Sequence, residues 1–181
     1  MKRFSIILAI ITLGFWSVAS ADAYVGFDLQ WRSVGLSTLK ADTFKKNAMS
    51  GNIHTGIMIN EDWSAEFGHN FSKTVKKEAA LKMKGIHGTV IKHFPMNEPK
   101  TFNFLVGLGL VQIKHSSKHP TYRFDLSRCA PRLLGGIEYA LTDLVKFRLG
   151  LIWERQKGIF GKKSHTFRDQ YALSTGLRFN F

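Results

Sequence analysis

The chain has 181 residues, of which 44% are hydrophobic and 22% charged, and it carries a formal net charge of +13. This length predicts one domain. A single cysteine, Cys129, excludes an intrachain disulfide, and no run of about 18 apolar residues follows the N-terminal segment, which excludes a transmembrane helix.

The N-terminal stretch MKRFSIILAIITLGFWSVASADA has the parts of a secretory signal. Two basic residues precede an apolar run, and two small-x-small sites follow it. We therefore predict that residues 1–21 are a cleaved signal peptide, with cleavage after residue 23 as the alternative, and that residues 22–181 form the mature domain. An uncleaved anchor is the competing interpretation, but the apolar run is shorter than the roughly 20 residues of a spanning helix.

Apolar residues occupy every second position in eight segments of the mature chain. The stretch VGFDLQWR near its start shows this pattern, and the C-terminal stretch YALSTGLRFNF repeats it. Because successive side chains of a strand point to opposite faces, the period of two predicts β-strands. The segments lie at 25–32, 52–59, 63–71, 82–94, 102–113, 132–139, 146–154 and 171–181. The orientation of 82–94 stays open, because Ile86 and Lys92 share one face.

The face opposite the apolar residues mixes glycine with charged side chains of both signs. A soluble sandwich also alternates, but its charges face water and its apolar residues meet in a core. Charges enclosed in a narrow tube persist only when they are paired, and a closed barrel is the sheet that leaves no backbone edge in hydrocarbon. We predict an all-β fold, an eight-stranded, antiparallel, up-and-down, closed transmembrane β-barrel. The predicted lumen network consists of Asp28, Arg32, Glu66, Glu138, Arg148 and Arg178, with Glu154 and Lys146 as further partners.

Short and long connections alternate between the predicted strands. The short turns are at 60–62, 95–100 and 141–143, and the longer polar links are at 33–49, 72–81, 114–128 and 155–169. Outer-membrane barrels have short periplasmic turns and longer extracellular loops. We therefore predict a bacterial outer-membrane location with both termini in the periplasm and the long links outside.

Two C-terminal stretches carry a family resemblance. LGGIEYALTDLVKFRLGLIWERQ and the final YALSTGLRFNF resemble the last hairpin segments of the OmpA/opacity-type outer-membrane barrels. In that family the terminal strand resembles the signal that the barrel-assembly machinery reads, which implies this role for Tyr171, Leu177, Phe179 and Phe181. The resemblance covers only barrel segments, so the family's peptidoglycan-binding domain and cell-wall anchoring are not expected.

The long links are basic, whereas the short turns carry Glu61, Asp62, Glu98 and Asp143 against Lys100. This polarity predicts contacts with outer-membrane lipid and lipopolysaccharide, or with host polyanions such as sulfated glycans or a host protein. The proposed anion-binding residues are Lys114, Lys118, Arg123, Lys157, Lys162, Lys163 and Arg168. Solvated loops on a barrel with a structural role are the alternative. Nucleic acid is not an expected partner, because the basic residues face the exterior of an exported barrel.

Two further functions are weaker alternatives. His115 and Ser117 have the His-x-Ser spacing of eight-stranded lipid A deacylases, which they resemble, with Asp125 as the nearby acid; the family's Asn-rich motif is absent, so no enzyme is expected. A small pore requires the lumen charge pairs to rearrange. No cofactor is expected, and the histidines form no dense cluster that would predict a metal site.

Overall fold

The computed structural model describes residues 22–33, 47–76, 79–98, 100–118, 123–155 and 169–181. Those residues form eight antiparallel strands. Their bounds are β1 (Ala23–Ser33), β2 (Asn47–Met58), β3 (Trp63–Lys76), β4 (Ala79–Pro95), β5 (Phe102–Lys118), β6 (Arg123–Ala140), β7 (Val145–Glu154) and β8 (Gln170–Asn180). The described ranges hold no helix that is long and apolar enough to span a membrane.

The sheet closes on itself. Each strand pairs with the next along the chain, and β8 pairs with β1 through partners such as Phe27 and Leu177. Closure leaves no strand edge along the barrel wall, which is the condition for a sheet in hydrocarbon. The predicted eight-stranded, up-and-down, closed barrel is therefore confirmed.

Side chains alternate between the two faces of the barrel wall as the sequence predicts. In β1, Phe27, Leu29 and Trp31 are 50%, 60% and 62% exposed, whereas Asp28 and Arg32 between them are 6% and 4% exposed. The arrangement is the reverse of a soluble protein, in which the large apolar side chains are buried. Apolar residues form the outer surface, and charged residues fill the interior.

The structure also settles the orientation of β4. Ile86, Val90 and Phe94 face outward, and His87 and His93 face the interior. Lys92 shares the outward face, where its ammonium group lies 5.3 Å from the ring centre of Trp63 and 5.1 Å from that of Phe94. A lysine on this face is accommodated because its long side chain can carry the charge toward the edge of the apolar band.

Glycines on the inner face make room for buried rings. A Cβ added at Gly26 or at Gly68 would overlap the imidazole of His54 or of His87, and one at Gly56 would overlap the phenol ring of Tyr24. An eight-stranded barrel has an interior just wide enough for side chains to fill it. Small residues opposite large ones therefore let the rings cross the bore.

The three short turns, the start of β1 and the end of β8 lie together on one side of the membrane-spanning wall, which we call the short-turn end. Met58 N–H donates to the carbonyl of Asp22, and Phe181 N–H donates to that of Ala23. In the β2–β3 turn, Asn60 Oδ1 accepts hydrogen bonds from the N–H groups of Asp62 and Trp63, both at 2.9 Å. An asparagine side chain that mimics a backbone acceptor in this way favours a tight turn.

An ion pair links two of these turns. Lys100, whose φ of 64° lies in the left-handed region, donates to Glu61 Oε2 at 2.7 Å. The lysine lowers the pKa of the Glu61 carboxyl, and the carboxylate raises the pKa of Lys100. Both groups are exposed, so water screens the pair, and it contributes little to stability.

At the opposite, long-link end, two of the four predicted links are mostly strand. Only residues 77 and 78 separate β3 from β4, and only residues 119–122 separate β5 from β6. The four strands β3–β6 have 14 to 18 residues, more than the 9 to 11 or so that span a membrane, whereas the others have 10 to 12. The prediction of loops at 72–81 and 114–128 was wrong. Paired strands continue there beyond the apolar band, where their outward residues no longer need to be apolar, so the alternation in the sequence is lost. The other two links fall largely on 34–46 and 156–168, outside the described residues.

Candidate functional site: the charged interior and the basic end

Glu154 lies between two arginines in the half of the interior nearer the long-link end. One carboxylate oxygen accepts from Arg132 at 2.6 Å, and the other is paired with Arg32. Arg32 also donates to Gln30 Oε1 at 2.9 Å and to Gln170 Oε1 at 3.2 Å. Glu154 has no exposed surface, and Arg132 is 1% exposed. The two guanidinium groups therefore share one carboxylate, and the amides of Gln30 and Gln170 accept further hydrogen bonds from Arg32.

A second group of charges lies toward the short-turn end. Arg148 donates to Glu66 at 2.7 Å and lies 3.5 Å from Glu138. Arg178 donates to Glu138 at 3.2 Å, and its guanidinium carbon is 3.9 Å from the ring centre of Tyr24. The structure thus brings together Glu66, Glu138, Arg148 and Arg178, four of the residues that the sequence assigned to the lumen.

Asp28 lies between these groups and has a different environment from the one the sequence suggests. Its Oδ2 accepts from Asn52 Nδ2 at 2.7 Å and lies 3.3 Å from His54 Nδ1. The other nitrogen of His54 is 3.6 Å from Glu66, and Asn52 Oδ1 is 3.1 Å from His87 Nε2. The amide of Asn52 and the imidazole of His54, rather than an arginine, therefore contact this carboxylate.

The described interior is balanced in charge. Its fully enclosed charged groups are four carboxylates and four guanidiniums, and all are at most 6% exposed. They are Asp28, Glu66, Glu138 and Glu154, and Arg32, Arg132, Arg148 and Arg178. Because each buried charge needs a partner of opposite sign, this balance is what allows the bore to be filled by ionised groups.

The predicted lumen charge network does not include Arg132 or the interior histidines. Arg132 belongs to the same face of β6 as Glu138, and His54, His87, His93 and His115 lie on the inner faces of their strands. The period of two alone could have placed them inside. Which carboxylate each would contact depends on the register between strands, which the sequence does not display.

Lysines cover the outward surface near the long-link end. Lys82, Lys84 and Lys114 are exposed, and Lys84 and Lys114 are direct partners across β4 and β5. Lys118 and Arg123 are partners at the ends of β5 and β6. Lys157, Lys162, Lys163 and Arg168, the remaining proposed anion-binding residues, lie outside the described residues.

Two residues of the deacylase alternative, His115 and Asp125, lie on opposite faces of the barrel wall. His115 is buried on the inner face of β5, with its Nε2 3.2 Å from Gln170 Nε2. Asp125 is on the outward face of β6, where it pairs with Lys114 at 2.9 Å. Ser117 belongs to β5 and is the register partner of Phe124. A general base needs a carboxylate to orient it, and Asp125 lies on the other side of the wall from His115.

The C-terminal strand closes the barrel. β8 pairs with β7 and with β1, and Tyr171 and Leu177 of the predicted assembly signal are 61% and 38% exposed on the outward face. Phe179 is half-buried, and Phe181 is 78% exposed just beyond the strand. Within the described residues, no group of three His, Cys, Asp or Glu side chains is placed to hold a metal ion.

Comparison with known proteins shows the fold. No protein-family model and no curated protein matches the sequence. Among solved structures, Neisserial surface protein A is similar, with a TM-score of 0.71 and 21% identity over 88% of this chain and 97% of that one. Ail, the attachment invasion locus protein of Yersinia pestis, matches with a TM-score of 0.59 and 13% identity over 89% and 97% of the two chains. The N-terminal barrel of Pseudomonas aeruginosa OprF matches at 0.57 and 13% identity over 90% and 100%. The chain thus has the fold of the small outer-membrane barrels, as its resemblance to the OmpA/opacity type implies.

Proposed function

We propose that the protein is a bacterial outer-membrane barrel whose long-link end faces outside the cell and binds anionic glycans there, either lipopolysaccharide or sulfated host glycans. The observation that carries this proposal is the charge difference between the two ends. Lys82, Lys84 and Lys114 are exposed toward one end, and Glu61 and Asp62 are exposed at the other. A one-sided field of this kind attracts polyanions to one face of the membrane only.

Two further observations support a binding role rather than a catalytic or conducting one. The interior is filled by paired charges such as Glu154 with Arg132, and Asp125, the acid of the deacylase alternative, lies on the outward face of the wall, where it pairs with Lys114. A solved structure of Ail, which shares the fold, is a complex with the heparin analogue sucrose octasulfate. A sulfated ligand on a barrel of this shape makes heparin a suitable probe.

The test is binding of heparin to the mature chain refolded in neutral detergent micelles, across a salt series. We expect saturable binding that weakens steeply as salt rises, because exposed charges are screened. Lys157, Lys162 and Lys163 are changed together to Gln, and this variant should lose most of the binding. A matched variant that removes Lys92 and Lys100, which lie toward the short-turn end, should bind as the parent does. Equal binding by the parent and the loop variant would refute the proposal.

The remaining parts of the proposal concern export and assembly. We propose that residues 1–21 are removed on export, which the mass of the protein in purified outer membranes tests. The closing strand β8, with its exposed Tyr171 and Phe181, is proposed as the segment that the barrel-assembly machinery recognises.

A further inference from the structure

Three lysines form a lateral surface on the wall of the barrel, which we call the lysine face. It consists of Lys82 and Lys84 on β4 and Lys114 on β5, all exposed and all on the outward side of the sheet. Toward the middle of the wall, the next outward residue on β4 is Ile86, which is 44% exposed, and on β5 the exposed Gln112 is followed by Leu110, which is 55% exposed. The lysine face therefore lies at the edge of the apolar band.

The lysines of this face lie close together and repel one another. Lys84 is the direct cross-strand partner of Lys114, a relation that places Cβ atoms about 5 Å apart. Lys82 is two residues along the same face from Lys84. Like charges in such positions destabilise a sheet. An anion held between them would remove that cost.

Acidic side chains in the described segments of the chain pair with only one of the three lysines of this face. Asp125 pairs with Lys114 at 2.9 Å, and both groups are more than half exposed. Among the described residues no ion pair to Lys82 or Lys84 is formed. Two neighbouring ammonium groups thus have room for an external acceptor with several oxygens.

The position of the face identifies the acceptor. It points sideways from the barrel, beside Phe71, which is 43% exposed and is the register partner of Lys84 on β3. A molecule there would meet ammonium groups and an aromatic ring at one level and aliphatic side chains such as Ile86 nearer the middle of the wall. That combination fits a lipid, whose phosphate headgroup and acyl chains lie at these same two levels.

We propose that the lysine face is a lateral site for a phosphorylated lipid of the outer leaflet, with phosphate oxygens bound between Lys82, Lys84 and Lys114. Each ammonium group donates up to three hydrogen bonds, and a phosphate accepts several. The inference rests on the proposed function, with the long-link end outside, and it names a membrane-embedded lipid as the ligand of the lysine face within that basic end. Soluble glycans would instead meet the links beyond the strands.

The experiment is native mass spectrometry of the mature chain in neutral detergent, titrated with lipid A and, separately, with lipid A from which both phosphates have been removed. We expect the parent to retain lipid A and to retain the dephosphorylated lipid at least about tenfold less well, since basic residues at a membrane surface attract phosphorylated lipids. Changing Lys82, Lys84 and Lys114 together to Gln should reduce lipid A binding to the level of the dephosphorylated lipid. Inorganic phosphate at the same concentration should not displace lipid A, because it lacks the acyl chains.

A control variant removes Lys92 and Lys100, which lie toward the other end of the molecule, and should bind lipid A as the parent does. Circular dichroism of each variant shows whether the barrel has folded, and a single Lys84→Gln change gives a second, milder test with a smaller loss. Unchanged lipid A binding in the triple variant, or equal binding of the dephosphorylated lipid, would overturn the proposal. If heparin fails to bind while lipid A binding depends on the lysine face, the proposed glycan binding fails and the lipid site stands.

Discussion

Glu154→Gln tests whether paired charges stabilise the interior. Glu154 is fully buried and pairs with both Arg32 and Arg132, so the neutral amide would leave two enclosed guanidinium groups without their shared carboxylate. Removing one partner of a buried ion pair costs about 3–5 kcal/mol, and we expect a loss in the upper part of this range because two cations lose their partner. Glutamine has nearly the shape of glutamate, so packing changes little.

The assay is urea unfolding of the refolded protein in neutral micelles, followed by tryptophan fluorescence. Adding Arg132→Gln to the first change should recover part of the lost stability, because one of the uncompensated charges is then removed as well. Glu61→Gln, which breaks the exposed pair with Lys100, is the matched control and should unfold at the same urea concentration as the parent. If Glu154→Gln also unfolds there, the interior charges do not stabilise the barrel as described.

Other predictions concern packing, assembly and catalysis. Gly26→Ala should lower the free energy of unfolding by about 1–3 kcal/mol, because the added methyl overlaps the His54 ring; Gly88→Ala, where nothing lies within 4 Å of the added Cβ, should not. Deleting Phe181 should reduce the amount of protein in outer-membrane fractions without preventing refolding in micelles; equal amounts in both strains would argue against an assembly signal there. Cells that express the parent protein or His115→Ala should contain lipid A of the same, unmodified mass. Loss of an acyl chain from lipid A in cells that express the parent would contradict the non-enzymatic account.

The fold was predictable because one physical requirement acts on every residue of the wall. A side chain in the band faces either lipid or a narrow interior, so Phe27 and Asp28 had to differ, and a period of two records that difference along each strand. The orientation of β4 stayed open in the sequence because Lys92 shares its outward face, where it lies beside aromatic rings at the edge of the apolar band. Beyond the band it no longer applies, which is why the ladder from Lys73 to Lys76 resembled a loop in sequence.

The interior was predictable in composition and only partly in its pairs. The period of two places Arg148 and Glu138 on the inner face, and the two residues contact each other because they are direct partners on the adjacent strands β6 and β7. The period of two cannot show that Glu66 contacts Arg148 across the interior, or that Asp28 contacts Asn52 and a histidine. Such contacts depend on the tilt and register of all eight strands together.

Thiol labelling in intact cells tests the central claim most directly, namely that the basic end faces outside. With Cys129 changed to Ser, a cysteine is placed at Lys118, at the end of β5, or at Glu61, in the β2–β3 turn. A maleimide attached to a polymer too large to cross the outer membrane should label Lys118→Cys in intact cells and Glu61→Cys only after the membrane is permeabilised. Labelling of Glu61→Cys in intact cells, with Lys118→Cys protected, would contradict the account.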